Sequence, residues 1–358
     1  MKRRRMHVLV INTEKSWRGG ERQTLYNIMG FLQAGLQVDL LCRKGCPLSQ
    51  KARGLGITVH EIGGTLGGLR WLATNAAAYD LIQAQTAKAQ TLAAMTKPFH
   101  GKPIVYTRRV DFVPRGRLTK IKYRSTDHVV AISNWVKTIL ENFGIPNITV
   151  ISDVVVPRAL DSGRAAEIVA KVDAKGKKIV ATFAALEQHK DPLTMIEAVR
   201  GLSRLRDDFV FLHFGDGSLR NTVQQKIDEY RLNDVYHLMG FVSEVEDVFL
   251  LMDVFCMSSE EEGLGSSVLD AFAYKVPVVS TAAGGLAEIV AGRGLLCNIK
   301  DSGAMAECID KVLEHPEEYR KTAERAYDYV VSAHSLESTT EQYLELFKGL
   351  ADRERGRP

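Results

Sequence analysis

The sequence predicts an α/β protein with two doubly wound parallel sheets, one in each half of the chain. Short apolar runs alternate with amphipathic stretches, which is the pattern of strands joined by crossover helices. The pattern restarts near Lys178, and 358 residues exceed the usual domain size of roughly 100 to 200 residues. Ligands bind such sheets at the carboxyl ends of the strands, so we expect two Rossmann-like domains that face a cleft.

Strands and helices alternate through the first half. The predicted strands are 7–11, 38–42, 58–62, 81–84, 104–107, 129–132 and 149–151. The predicted helices are 21–34, 50–55, 88–96 and 134–142. Pro157 and the polar run after it are typical of a linker, so the first domain is expected to span 1–157.

The second half repeats the alternation over an expected domain of 172–335. The predicted strands are 178–183, 209–215, 235–239, 254–257 and 278–280. The predicted helices are 192–202, 219–230, 245–250 and 267–274. Two further helices, 316–331 and 336–349, come too late to be needed by the second sheet. We therefore expect the helix at about 336–350 to pack back on the first domain.

Composition excludes several classes of protein. A content of 45% hydrophobic and 25% charged residues is that of an ordinary globular protein, and no apolar run approaches the roughly 20 residues of a membrane span. Five cysteines without metal-ligand spacing or a preceding signal peptide favour a reduced, cytoplasmic location. Cys42 and Cys46 have no second pair nearby, which favours structural thiols over a metal site.

Positive charge is clustered in the first half although the net charge of +4 is mild. Lys2, Arg3, Arg4 and Arg5 open the chain. A basic band follows between residues 108 and 124, where one acid, Asp111, opposes seven cations: Arg108, Arg109, Arg115, Arg117, Lys120, Lys122 and Arg124. Phe112, Leu118, Ile121 and Tyr123 lie between them. Three interpretations stay open, namely a solvated face, a contact with an anionic acceptor or membrane surface, and a nucleic-acid contact.

The segment 258–271 carries the richest chemistry. It reads as a strand end, a glycine-containing turn and a helix start with two serines, so free backbone N–H groups and the helix dipole suit a phosphate. Glu262 precedes the turn and is better matched to sugar hydroxyls, while Asp270 follows about two helical turns later on nearly the same side. The alternative is that Glu260–Glu262 are solvated acids and Asp270 is an ordinary helix residue. A second glycine-rich helix start, 282–288, weakens that alternative.

These residues resemble the large retaining glycosyltransferase family 4, which has the GT-B fold. The matching motifs are Ser258, Ser259, Glu262, Gly263-Leu264-Gly265, Asp270-Ala271, Pro277-Val278-Val279 and Gly284-Gly285-Leu286-Ala287-Glu288. Further matches in the same order are Trp17-Arg18-Gly19-Gly20-Glu21-Arg22, Asp191-Pro192, Gly215-Asp216-Gly217-Ser218 and Gly240-Phe241-Val242. The resemblance covers nearly the whole chain. It implies an acceptor domain first and a nucleotide-sugar donor domain second.

The resemblance also implies roles for individual residues. Glu262 would bind the transferred sugar, Asp270 the ribose and Lys190 the diphosphate, whose developing charge a lysine stabilises in the transition state. The implied catalytic residues are Glu262 and Lys190. The implied donor-binding residues are Gly19, Gly20, Gly215, Phe241, Val242, Gly263, Leu264, Gly265, Ser266, Ser267, Asp270, Gly284 and Gly285. Arg18 and Arg109 would contact the acceptor or the sugar. No metal or cofactor is expected, and no Asp-x-Asp occurs to hold a metal.

The largest departure from the family pattern concerns the diphosphate. An arginine is expected five or six residues before Lys190, where this chain has Ala185 and Ala184. Three explanations stay open. Lys190 suffices alone, or His189 or another basic residue replaces the missing charge, or the protein binds donor and turns it over poorly.

Three other departures are smaller. Asp270 stands for a glutamate and is one methylene shorter, and Lys275 stands for a glycine at a position that often needs left-handed backbone, so the loop there is expected to differ locally. Arg109 stands where a sugar-contacting histidine is expected. It is either an anchor for a phosphate or carboxylate or a solvated basic strand end.

The expected function is therefore that of a metal-independent retaining glycosyltransferase. It would move a sugar from a nucleotide-diphosphate sugar to a glycan or glycolipid acceptor, such as a bacterial cell-envelope lipopolysaccharide. The expected location is cytoplasmic, with an anionic membrane surface at the inner face of the plasma membrane as a candidate partner. The alternatives are a catalytically weakened nucleotide-sugar-binding relative and a nucleotide-sugar 2-epimerase. Nucleic acid is not expected as a partner, because the glycine-rich helix starts would have no role.

Overall fold

A computed structural model describes residues 5–242 and 244–355. Lys2, Arg3 and Arg4 of the basic opening lie outside these described residues. The chain divides into two compact units. The first unit runs to Val156 and resumes at Ala333, and the second runs from Pro157 to Ser332.

The first unit contains a seven-stranded parallel sheet in the order β3-β2-β1-β4-β5-β6-β7. Its strands are β1 (His7–Asn12), β2 (Gln37–Arg43), β3 (Thr58–Ile62), β4 (Leu81–Ala84), β5 (Ile104–Arg108), β6 (His128–Ala131) and β7 (Ile148–Val150). Val8, Val10 and Leu40 in the central strands are fully buried. Helices on both faces of a parallel sheet bury such strands on both sides, which explains their nearly continuous apolar runs.

Seven helices of the described residues belong to this unit. They are α1 (Gly19–Gln33), α2 (Pro47–Arg53), α3 (Thr65–Asn75), α4 (Ala87–His100), α5 (Arg117–Arg124), α6 (Asn134–Asn142) and, from the end of the chain, α14 (Leu336–Arg355). The Phe31 ring of α1 packs edge-on against Tyr343 of α14, with centroids 5.6 Å apart. A Cβ on Gly30 would overlap the Thr340 hydroxyl, so glycine allows α1 and α14 to approach closely.

The second unit contains a six-stranded parallel sheet in the order β10-β9-β8-β11-β12-β13. Its strands are β8 (Lys178–Phe183), β9 (Phe209–Phe214), β10 (Tyr236–Gly240), β11 (Val254–Met257), β12 (Val278–Thr281) and β13 (Leu295–Cys297). Its helices are α7 (Ser162–Val169), α8 (Pro192–Leu202), α9 (Arg220–Glu229), α10 (Ser266–Ala273), α11 (Gly285–Val290), α12 (Ser302–Glu314) and α13 (Pro316–Ala333). The prediction of two doubly wound parallel sheets is confirmed.

Three local predictions need correction. The polar run after Pro157 was expected to be a linker but contains α7, which buries Ala165 and Ile168. The predicted helix 245–250 is a 3-10 helix. Lys275 adopts the left-handed backbone of the glycine it replaces, with φ 57°, so the substitution leaves the backbone in the region that a glycine would occupy.

Candidate functional site

The donor residues expected in the second unit lie along one edge of its sheet. Each follows the carboxyl end of one of five neighbouring strands. Phe241 and Val242 follow β10, Gly215 follows β9, Lys190 follows β8, Glu262 to Asp270 follow β11, and Gly284 and Gly285 follow β12. This edge is where parallel α/β sheets bind ligands.

The centre of this edge is a topological switch point. From β8 the chain passes through α8 to β9 on one side, whereas from β11 it passes through α10 to β12 on the other side. Such a switch point is where open α/β sheets bind ligands. Lys190 lies at the end of the loop after β8 and Glu262 lies in the loop after β11.

Lys190 and Glu262 form an ion pair at this switch point. The Lys190 Nζ donates to Glu262 Oε2, and the two side chains are only 19% and 14% exposed. Ser259 Oγ lies 3.4 Å from the same carboxylate oxygen. The side chains that were expected to bind diphosphate and sugar are thus paired with each other.

Hydrogen bonds to backbone carbonyls hold the two loops together. The Glu260 N–H donates to the His189 carbonyl at 2.9 Å, and the Ser258 hydroxyl donates to the Asp191 carbonyl at 2.9 Å. Asp191 in turn caps α8, accepting the Thr194 N–H at 3.2 Å. The position of Lys190 is therefore fixed by the loop that carries Glu262 and by the start of α8.

The turn after Glu262 opens α10. Gly265 has φ 99°, a left-handed value that glycine adopts without strain, and it precedes the first helical residue. Ser266 and Ser267 are half-buried in the first turn, and Asp270 is half-buried one turn later. The N–H groups at the start of a helix suit an anion. The phosphate contact at this turn stays a prediction.

Gly285 fits against the turn that follows Glu262. Its N–H donates to the Glu262 carbonyl at 2.9 Å. A Cβ at this position would overlap the Gly263 carbonyl oxygen and lie 2.7 Å from the Leu264 Cα. Because both neighbours are backbone atoms, the turn could only accommodate a larger residue by shifting.

We expect the Gly285→Ala variant to lower the free energy of unfolding by about 1–3 kcal/mol, the usual cost of overpacking. The same shift should weaken nucleotide binding by moving Glu262. Urea unfolding and calorimetry measure the two effects. Gly303→Ala is the matched control, because its Cβ would come no closer than 3.7 Å to Asp301 Oδ1. Equal stability of the two variants would contradict the packing argument.

The glycine turn after β9 packs on the segment that lacks the expected arginine. A Cβ on Gly215 would overlap the Ala184 carbonyl oxygen, and His213 Nε2 lies 3.1 Å from that oxygen. Burial lowers the pKa of His213 to about 4, so this ring is neutral at pH 7 and supplies no charge. His189 is exposed beside Lys190.

Phe241 is the most exposed side chain of the expected donor set. It is 73% exposed and follows Gly240, whose carbonyl accepts the Gly215 N–H at 2.9 Å. The loops after β9 and β10 therefore adjoin. An exposed aromatic ring at this place offers a face for stacking with a nucleotide base.

The first unit places Arg18, Gly19 and Gly20 at the carboxyl end of β1. Arg18 is exposed and precedes α1, which begins at Gly19. A Cβ on Gly19 or Gly20 would meet no protein atom within 4 Å, so protein packing does not require glycine at either position.

Arg109 follows β5 at the same edge of the first sheet and is not solvated. Its side chain is 12% exposed, its Nε donates to Asp153 Oδ1 at 2.9 Å, and its Nη1 donates to Gln85 Oε1 at 2.5 Å. The interpretation of Arg109 as a solvated strand end is therefore wrong. Its preceding neighbour Arg108 is buried as well, with Nη1 donating to the Tyr123 hydroxyl at 2.7 Å.

Asp153 and Gln85 were not predicted as site residues. Each follows the carboxyl end of a strand, β7 and β4 respectively, and each is about 95% buried. Gln85 comes directly after a fully buried strand of a parallel sheet, which is the signal that could have identified it. Asp153 lies three residues after β7, a strand that is only partly buried, so the same signal does not mark it.

Among residues 5–242 and 244–355, no group of three or more His, Cys, Asp or Glu side chains is arranged to hold a metal ion. Within the same described part, no helix is both long enough and apolar enough to cross a membrane.

Comparison with known proteins agrees with the architecture. The family model "Glycosyl transferases group 1" matches residues 164–329, and the model "Glycosyltransferase Family 4" matches residues 17–157. Two sheets of this kind, each with ligand-binding loops at its carboxyl edge, define the GT-B class. The chain belongs to the GT-B glycosyltransferases of the family 4 type.

Individual relatives are distant. The lipopolysaccharide core biosynthesis glycosyltransferase LpsE of Rhizobium meliloti is 28% identical over 170 residues, 47% of this chain and 49% of that protein. The chain spans half or less of the length of the first curated relatives it matches.

Two solved structures share the fold across almost the whole chain. Anabaena Alr3699/HepE in complex with UDP and glucose superposes with a TM-score of 0.83 at 18% identity, covering 96% of this chain and 100% of that one. A glycosyltransferase from Rickettsia africae gives 0.84 at 21% identity, covering 97% and 98%.

Proposed function

We propose that this protein transfers a sugar, with retention of configuration and without a metal ion, from a nucleotide-diphosphate sugar to a cell-envelope glycan or glycolipid. The observation that carries the proposal is the Lys190–Glu262 pair at the switch point of the second sheet, beside the start of α10. The similarity to LpsE, a lipopolysaccharide core biosynthesis glycosyltransferase, supports a cell-envelope acceptor, and the UDP in the HepE complex supports a nucleotide donor.

In this proposal the second unit binds the donor. The diphosphate lies against the N-terminal turn of α10 and Lys190, the sugar hydroxyls bind Glu262, the ribose binds Asp270, and the base stacks on Phe241. Negative charge grows on the β-phosphate as the nucleoside diphosphate departs. Lys190 and the N–H groups at the helix start then stabilise the transition state more than the ground state.

The acceptor binds the first unit in the same proposal. Arg18 and Gly19 lie after β1 and Arg109 lies after β5, all at the carboxyl edge of that sheet. Arg109 is held by Asp153 and Gln85, so its guanidinium is oriented before any acceptor arrives. An oriented guanidinium suits a phosphate or carboxylate on the acceptor. The proposed location is the cytoplasm, at the inner face of the plasma membrane.

Donor binding is tested by thermal unfolding with UDP, GDP, ADP and CMP. A ligand at about 100 times its dissociation constant stabilises the folded state by about 2.7 kcal/mol, so one nucleoside diphosphate should raise the melting temperature clearly. The matching sugar nucleotide is then incubated with EDTA and a cell-envelope acceptor. We expect transfer that EDTA does not abolish, and an anomeric configuration by NMR that equals that of the donor.

Different failures point to different conclusions. Nucleotide binding without transfer to any acceptor would favour the weakened relative, which the alanines at 184 and 185 allow. Inversion of configuration at C2 of the donor sugar would favour an epimerase. An inverted product would contradict retention while leaving glycosyl transfer in place.

A further inference from the structure

Residues 110–124 expose an unusual set of large apolar side chains. We refer to the exposed side chains of this segment as the α5 surface. Its apolar members, with their exposed fractions, are Val110 (36%), Phe112 (58%), Val113 (58%), Leu118 (83%) and Ile121 (57%). Single exposed hydrophobic residues are ordinary, but five within fifteen residues indicate an interaction surface.

The segment is held together as one surface. Arg108 is buried beneath it and connects its two parts, because Nη1 donates to the Tyr123 hydroxyl at 2.7 Å while the guanidinium lies 5.0 Å from the Phe112 ring centroid. Leu118 and Ile121 are three residues apart on α5 and therefore share a face of that helix. The contacts of Arg108 therefore connect α5, through Tyr123, to the part of the segment that contains Phe112.

Positive charge surrounds these apolar side chains. Of the seven cations in the basic band, Arg108 and Arg109 turn inward, whereas Arg115, Arg117, Lys120 and Arg124 are exposed and Lys122 is half-buried. The four exposed cations form no ion pair with a carboxylate of the described residues. Lys122 Nζ lies 3.5 Å from the Ala87 carbonyl, next to the exposed Lys88, which extends the positive surface to the start of α4.

We propose that the α5 surface docks this protein on an anionic lipid bilayer. Leu118, Ile121 and Phe112 enter the boundary between headgroups and acyl chains, and the surrounding cations bind the anionic headgroups. Surfaces that combine apolar and basic side chains bind to the interface of anionic membranes. The chemistry favours lipid over single-stranded RNA, which needs exposed aromatic rings for stacking, because Phe112 is the one exposed ring of the segment and Tyr123 is buried.

The inference deepens the proposed function by naming the surface that meets the membrane, but it does not depend on sugar transfer. Co-sedimentation with vesicles needs neither donor nor acceptor. A protein that binds nucleotide but not vesicles would contradict this inference alone. A protein that binds vesicles but not nucleotide would contradict the donor proposal alone.

The experiment compares the whole chain on two kinds of vesicle. One contains equal parts of phosphatidylglycerol and phosphatidylcholine, and the other contains phosphatidylcholine only. We expect sedimentation with the first and little with the second, with loss at high salt. Arg117→Glu/Lys120→Glu should weaken binding at least about 25-fold, since each cation near an anionic surface contributes about 1 kcal/mol, roughly fivefold. Leu118→Ser/Ile121→Ser should weaken binding by roughly tenfold or more through lost apolar burial.

Matched variants separate this surface from general effects. Leu205→Ser removes a side chain that is 58% exposed in the second unit, and Lys171→Glu/Lys175→Glu reverses two exposed lysines there. We expect both controls to bind vesicles like the wild type, and all variants to keep the wild-type melting temperature because they alter exposed side chains. Equal binding to both kinds of vesicle, equal losses in test and control variants, or binding of RNA without binding of vesicles would overturn the proposal.

Discussion

We expect the Lys190→Met variant to transfer sugar roughly a hundred- to a thousandfold more slowly than the wild type. Methionine keeps the length of the side chain but removes the charge that meets the departing diphosphate. It also leaves the Glu262 carboxylate, which is only 14% exposed, without its partner and close to the incoming anion. Nucleotide binding should therefore weaken as well. Initial rates of transfer and calorimetry with the nucleoside diphosphate measure both losses.

Lys300→Met is the matched control for this variant. Lys300 follows β13, farther along the same edge, and its Nζ lies 3.1 Å from Glu260 Oε1, but the side chain is 62% exposed. We expect its rates to stay within about twofold of the wild type, because an exposed ion pair contributes little. A Lys190→Met enzyme that is as active as the control would show that another cation meets the diphosphate, and His189→Ala would then be the next variant.

Most strands could be predicted from the sequence because both sheets are parallel and largely buried. The strand β13 and the helices α3 and α12 were not among the predicted elements. The predicted strands 58–62 and 178–183 coincide with β3 and β8. Ile179, Val180 and Ala181 form an apolar run in β8, whereas β3 is marked by the glycines before and after it, Gly56 and Gly63.

The element α7 was missed for a physical reason. Its buried face consists mainly of Ala165, Ile168 and Val169, too few apolar residues to stand out in a polar run. The Asp161 cap, which accepts the Arg164 N–H at 3.0 Å, was the available signal.

The helix α5 was also missed because its sequence is dominated by charge. Tyr123 is its only buried residue, so no apolar stripe marks a core-facing side. The lack of an apolar pattern also made the basic band hard to interpret, because its adjacent arginines look equivalent in sequence. Arg108 lies within β5 and is buried against Tyr123, whereas Arg109 follows the strand and reaches Asp153. The sequence does not show where β5 ends, and therefore which arginine is buried within it. The contact between Arg109 and Asp153 joins residues 44 positions apart and depends on the fold.

The candidate site was predictable in its parts but not in its pairing. Glycine turns and helix starts are local patterns, so 258–271 and 282–288 could be identified as one binding edge. The contact between Lys190 and Glu262 joins residues 72 positions apart. It depends on β8 and β11 being neighbours in the sheet. The sheet topology determines this adjacency, and it also determines that α8 leads to β9 on one side while α10 leads to β12 on the other. Neither motif contains this information.

This pairing leads to the second large prediction, in which catalysis and nucleotide affinity change in opposite directions. We expect Glu262→Gln to slow transfer by roughly a hundredfold, because the amide cannot hold the sugar hydroxyls as a carboxylate does. The same variant should bind the nucleoside diphosphate roughly three- to tenfold more tightly. In the wild type, the diphosphate must displace Glu262 from Lys190, whereas in the variant Lys190 has no anionic partner to give up.

The measurement is calorimetric titration of the nucleoside diphosphate beside initial rates of transfer. Glu261→Gln is the control, since Glu261 is adjacent and exposed, and we expect it to alter neither quantity by more than about twofold. The double variant Lys190→Met/Glu262→Gln extends the argument. If the two side chains act on each other, its affinity should differ from the sum of the single effects, because residues in contact are not additive. Parallel losses of affinity and rate in Glu262→Gln would instead mean that Glu262 supports the diphosphate site and does not compete with it.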